Sequence, residues 1–151
     1  MDVWLRRTLI ALSIGGGFAG LALAFKGMID AESEHPLYFI MLGGFGALYA
    51  LTVVAGLIFA ENPSRSAPLL VSLCCQMPCL SSPIITYHFS AGLSLTLGTV
   101  SGKLQVGYLL GSDWQLNLFG SMPWGFGINI VALVLFILLV QSKMPMPTAK
   151  R

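Results

Sequence analysis

The chain has 151 residues, of which 56% are hydrophobic and 9% charged, with a mean hydropathy of +0.82 and a formal net charge of +2. Soluble domains carry roughly a quarter charged residues, so water is not this chain's main solvent, and so small a net charge excludes the basic footprint of a nucleic-acid binder. The length leaves room for a single membrane domain over residues 1–151 and little for a separate soluble enzyme.

Arg6 and Arg7 precede an apolar run from Thr8 to Phe25 that stops at Lys26. That run is about 18 residues long, against the roughly 17 to 25 needed to cross a bilayer, and it predicts a first span over 5–25. The same stretch has the layout of a signal peptide, with Ala22-Leu23-Ala24 as a cleavage site. An uncleaved anchor is the expectation. Asp30, Glu32, Glu34 and His35 then form a short acidic loop ending at Pro36, and no charge occurs from Leu37 to Ala60, the second span, 37–60.

Glu61 to Ser66 reads as a tight turn, and a third apolar run starts at Ala67. Gln76, Pro78 and Ser81-Ser82-Pro83 interrupt it, so a third span over 67–82 is barely long enough and is expected to kink at Pro78. Such a helix belongs inside a bundle, where neighbours satisfy the freed carbonyl.

From Ile84 the period changes to two. Ile85, Tyr87, Phe89, Ala91, Leu93, Leu95 and Leu97 alternate with polar or small residues, followed by Leu104, Val106, Tyr108 and Leu110, then by Trp114, Leu116 and Leu118. Turns at Ser101-Gly102 and Gly111-Ser112-Asp113 predict a three-stranded antiparallel β-meander over 84–119. The first turn pairs Leu97 with Val106 and Leu95 with Tyr108. The second pairs Leu110 with Trp114 and Tyr108 with Leu116. Both keep the apolar residues on one face, which is expected to be buried, while His88, Ser90, Ser94, Thr96, Lys103, Gln105, Gln115 and Asn117 meet water.

Pro123 and Trp124 lead into a fourth span, 123–141, whose strongly polar member is Asn129. With loops on alternate sides, Arg6, Arg7, Arg65, Lys143, Lys150 and Arg151 share one side against Lys26 and Lys103 on the other. This bias places both termini in the cytoplasm and the meander on the outer side. The fold expected is therefore a membrane all-α bundle of four transmembrane helices with a small extracytoplasmic meander between helices 3 and 4, in a plasma membrane of the bacterial inner-membrane type.

The candidate chemistry is sparse. Cys74, Cys75 and Cys79 are soft ligands in one short run, joined in composition by Met144 and Met146, but without the Cys-x-x-Cys spacing of a metal site. The reading is apolar filler. His35 and His88 read as solvated surface histidines. Gly16 with Gly20, Gly43 with Ala47 and Gly46 with Ala50 follow the small-x-x-x-small spacing that lets helices approach closely in lipid, and Gln76 and Asn129 are expected to hydrogen-bond between helices. No nucleophile elbow, phosphate loop or carboxylate pair occurs, and the apolar runs of the four expected spans hold no Asp, Glu, Lys, Arg or His of the kind that marks pumps.

No cofactor is expected. The expected partners are the lipid bilayer and other membrane subunits or further copies of the chain. The expected role is a non-enzymatic accessory or scaffold subunit. The alternatives are an oligomeric small-molecule or ion conduit lined by Ser72, Gln76 and Asn129, and a metal or redox carrier using Cys, Met and His.

Overall fold

A computed structural model of the protein describes residues 2–30 and 36–143. The expected acidic-loop residues Glu32, Glu34 and His35 and the tail residues Met144 and Met146 lie outside the described residues. Helix α1 (Val3–Ile29) begins where the Asp2 carboxylate accepts from Trp4 N–H, and contains a π-helical turn over Ala11–Gly15. Helix α2 (Pro36–Glu61) returns beside it. At 27 and 26 residues, both are long and apolar enough to cross a membrane.

Helices α3 (Ala67–Gln76) and α4 (Ile130–Gln141) have only 10 and 12 residues, which corrects the expected third and fourth spans. Pro78 has no N–H to continue α3. The chain goes extended there as β1 (Pro78–Ser81) and pairs with β6 (Gly125–Asn129), which leads directly into α4. Four more strands lie between, β2 (Ile85–Ser90), β3 (Leu93–Val100), β4 (Lys103–Leu110) and β5 (Asp113–Leu118). The fold is thus four helices with a six-stranded antiparallel sheet, in place of a four-helix bundle with a three-stranded meander.

Strand order is β4-β3-β6-β1-β2-β5. The β3–β4 hairpin closes through Ser101 and Gly102, both at positive φ (52° and 75°), and pairs Leu97 with Val106 and Leu95 with Tyr108, the register its two-residue turn predicts. The rest of the expected meander is overturned. The long alternation bends at Gly92 (φ 90°) into separate strands β2 and β3, and β5 pairs with β2, setting Phe89 opposite Trp114 and Tyr87 opposite Leu116.

The two sheet edges, β4 and β5, are joined in the chain by Gly111 and Ser112 alone. Five strand spacings would hold them about 24 Å apart in a flat sheet, whereas two linking residues reach roughly 10 Å. The sheet must therefore curl until its edges meet at that turn. Gly111 N–H donates to Gly92 O at 2.8 Å, Gly92 N–H to the Ser112 hydroxyl at 3.3 Å, and that hydroxyl donates to Gly16 O on α1. Both turns thus rest on the middle of the long helix.

The core has two parts along the helix axis. In one half Leu9, Ala55, Phe59, Leu69, Leu73, Ala132 and Leu139 join all four helices. The first turn of α1, the end of α2, the start of α3 and the end of α4 share that end, where the Arg6 guanidinium donates to Ala60 O at 2.7 Å. In the other half the sheet replaces α3 and α4, and Phe45 and Tyr49 of α2 pack on Tyr87, Phe89 and Trp114.

The curl puts the central part of the polar face inside. Thr86, Ser90 and Ser94 are buried, whereas Leu95, Leu97, Leu104, Val106, Tyr108, Leu110 and Leu118 are exposed, Tyr108 by 87% and Leu110 by 82%. On the edge strands Lys103, Gln105, Gln115 and Asn117 are exposed as expected, so the expected assignment is reversed at Thr86, Ser90 and Ser94 and along the outer side of β3 and β4. Tyr87, Phe89, Trp114 and Leu116 are covered by α2, and Leu93 by α1, α3 and α4.

The glycines give a direct check on this packing. A Cβ on Gly20 would overlap the Tyr49 ring and one on Gly16 the Gly92 backbone, while at Gly43 and Gly46 it would meet nothing within 4 Å. Gly16→Val and Gly20→Val are expected to lower stability by about 1–3 kcal/mol or more. Gly43→Ala and Gly46→Ala should be neutral or slightly stabilising, as read by thermal denaturation of the purified protein in detergent.

Candidate functional site

The curled sheet encloses a trough of about 410 Å³ on its polar side. Strands β1 and β2 pair antiparallel with Leu80 opposite Tyr87, so Cys79 and His88 come side by side on the inward face. Their Sγ and Nδ1 atoms lie 3.2 Å apart, and Thr96 Oγ1 on β3 is 3.9 Å from the same sulfur. Gln115 on β5 stands opposite His88, and Gln105 on β4 opposite Gly98, so both edges contribute to the lining.

Space exists there because several inward positions are glycine. Gly98 and Gly127 face each other across β3 and β6, and a Cβ on Gly107 would meet nothing within 4 Å. Among the described residues the lining carries no Asp, Glu, Lys or Arg. Asp113 shares the polar face of β5 but begins the strand, opposite Ser90, outside the lining. Thr86 is only 6% exposed, and its buried hydroxyl has no hydrogen-bond partner among the described residues.

The sequence candidates separate in space. Cys74 and Cys75 remain on α3, Cys74 exposed, while Cys79 belongs to the sheet. All three are free thiols. His88 is half-buried, so the expectation of a solvated surface histidine is corrected. Met122, on the loop between β5 and β6, lines the same trough and was not singled out by the sequence.

Gln76 and Asn129 act differently from the expected helix-to-helix bonds. Gln76 donates through Nε2 to Ser72, within its own helix, and accepts through Oε1 from Ala91 N–H at 3.0 Å. Asn129 caps α4, its Oδ1 accepting from Val131 and Ala132 N–H and from Leu95 N–H on β3. With Ser72 they are buried, the Asn129 Nδ2 without a partner among the described residues, and the cavity between α1, α3 and α4 that Gln76 borders has about 20 Å³, room for roughly one water.

No protein family, curated protein or solved structure matches the chain.

Removing Gln76 strands a buried N–H, whereas removing the Thr86 hydroxyl relieves an unpartnered one. Gln76→Leu is therefore expected to lower stability by about 1–3 kcal/mol. Thr86→Val should leave it unchanged or raise it, with both read from the same melting curves.

Proposed function

We propose that the chain is a multi-pass plasma-membrane protein of the bacterial inner-membrane type, with both ends cytoplasmic, serving as a non-enzymatic accessory or scaffold subunit. The observation that carries this reading is the inverted sheet. In water a row of exposed Leu104, Val106, Tyr108 and Leu110 beside buried Thr86, Ser90 and Ser94 would be unfavourable, since each large apolar side chain gains roughly 1.5–3 kcal/mol on leaving water. In a bilayer the same arrangement is the stable one, as in membrane barrels with apolar exteriors and polar interiors.

In this reading α1 and α2 cross the bilayer as helices, and α3–β1 and β6–α4 cross as helix for one half and strand for the other. Lipid tolerates such strands only when their backbone is paired or faces polar space. Central strands are paired on both sides, and the free edges of β4 and β5 both line the polar trough. The charges agree: Arg6, Arg7, Arg65 and Lys143 lie at the end shared by the α1 start and the α4 end, and Lys26 and Lys103 at the other. The open space over Gly43 and Gly46 is a helix surface on which another transmembrane helix can approach closely.

Depth separates lipid from water as the surroundings of the sheet. Leu110 lies beside the turn resting on Gly16, the middle of α1, whereas Leu104 is near the hairpin tip, and the two are 82% and 71% exposed. In a bilayer Leu110→Arg should cost about 2–4 kcal/mol and Leu104→Arg about 0–1, measured as folded protein recovered in vesicles. Equal silence of both substitutions would place the sheet in water and defeat the proposal. In a background without native cysteines, Lys103→Cys should react with an impermeant thiol reagent added to intact cells and Ser64→Cys should not.

A further inference from the structure

We infer that the trough is a metal-binding site in which Cys79 and His88, with Met122 as third ligand, hold one Cu(I) ion. The two first ligands sit on adjacent central strands, so the register of the sheet fixes their separation. Sγ and Nδ1 are 3.2 Å apart. Metal–sulfur and metal–nitrogen bonds of about 2.3 and 2.0 Å set two ligand atoms roughly 3.5–3.8 Å apart at tetrahedral to trigonal angles, a few tenths of an ångström from what the apo pair already shows.

Charge and ligand softness select the ion. Thiolate, thioether and imidazole form a soft set of the kind that selects Cu(I). Binding displaces the Cys79 thiol proton to solvent and moves no electron, so a monovalent ion and one thiolate make a neutral centre. A divalent ion would leave a net positive charge among lining residues that include no carboxylate, the nearby Asp113 standing at the start of β5 opposite Ser90. Among the described residues no third His, Cys, Asp or Glu joins the pair, which argues against the four-ligand shell of structural zinc.

The site does not depend on the accessory role, and its test reads the metal alone. Full-length protein in detergent is titrated against the Cu(I)–bicinchoninate complex under reducing conditions, and X-ray absorption is recorded on the loaded protein. One ion per chain should be retained, with one nitrogen and two sulfur ligands. Loss of a ligand should exceed the 10–100-fold effect of supporting residues, so Cys79→Ser and His88→Gln should each weaken retention by about 100-fold or more, and Met122→Leu by roughly tenfold. The double variant Cys74→Ser, Cys75→Ser should bind as the wild type does.

Melting without metal establishes that each variant is folded. Should Cys79→Ser fail to fold, His88→Gln and the absorption spectrum decide. The inference is overturned if the chelator strips all the copper from the wild type, if folded His88→Gln retains it fully, if retention follows Cys74 and Cys75, or if Zn(II) is held in its place.

Discussion

The structure hangs on one chain of buried hydrogen bonds at mid-height, where helix gives way to strand. Ala91 N–H donates to Gln76 Oε1, Gln76 Nε2 donates to the Ser72 hydroxyl, which lies 2.7 Å from Thr52 Oγ1, and Thr52 donates to Leu48 O. Every member has a donor and an acceptor role that its neighbours complement. The relay ties the β2–β3 turn to α3 and α3 to α2. A buried backbone group without a partner costs about 1–3 kcal/mol, so ending a helix in the protein interior is feasible only where side chains take over. Asn129 does the same on the second strand-to-helix junction, where its N–H donates to Met77 O and its Oδ1 accepts from three backbone N–H groups.

Once both short helices end at this level, the other half of the long pair needs a different cover. Helices α3 and α4 rise only about 15–18 Å, and beyond them Phe45 and Tyr49 would be bare. The sheet supplies the cover with Tyr87, Phe89 and Trp114. Its curl follows from joining the outermost strands by two residues, and the trough follows from the curl together with inward glycines. The Cys79–His88 pair is set by the register of the short β1–β2 hairpin, which closes through residues 82–84.

The legible parts of the fold were those fixed by local pattern. The two long helices follow from uncharged runs, and the β3–β4 register follows from Ser101-Gly102, whose positive φ angles suit a two-residue hairpin. Distant partner choice was not legible, because β2 pairs with β5, and β6 with β1 and β3, by closing long loops, whereas β1 and β2 form a hairpin over residues 82–84 whose Ser82-Pro83 turn reads in the sequence as a helix stop. The strand β6 hid inside an apolar run read as helix, although Gly125 and Gly127 alternating with Phe126 and Ile128, followed by Asn129 as a cap, carried a period of two. The unbroken alternation across Ser90-Ala91-Gly92-Leu93 concealed a turn, since Gly92 reverses direction without changing which residues are apolar.

Alternation also says nothing about which face is inside. Period two shows that one face is apolar, and the assumption that apolar means buried holds only when the surroundings are water. Here Gly98, Gly107 and Gly127 sit on the polar face, and small residues belong on the concave side of a tightly curled sheet, where bulk would collide. The bulky residues of β4, Leu104, Val106, Tyr108 and Leu110, belong on the convex side. Size along the strands, more than polarity, distinguished interior from exterior. The same asymmetry explains how a sheet of six short strands keeps an open trough: its large side chains are committed to the outer surface and to α2, leaving the interior to threonine, glutamine, histidine and cysteine.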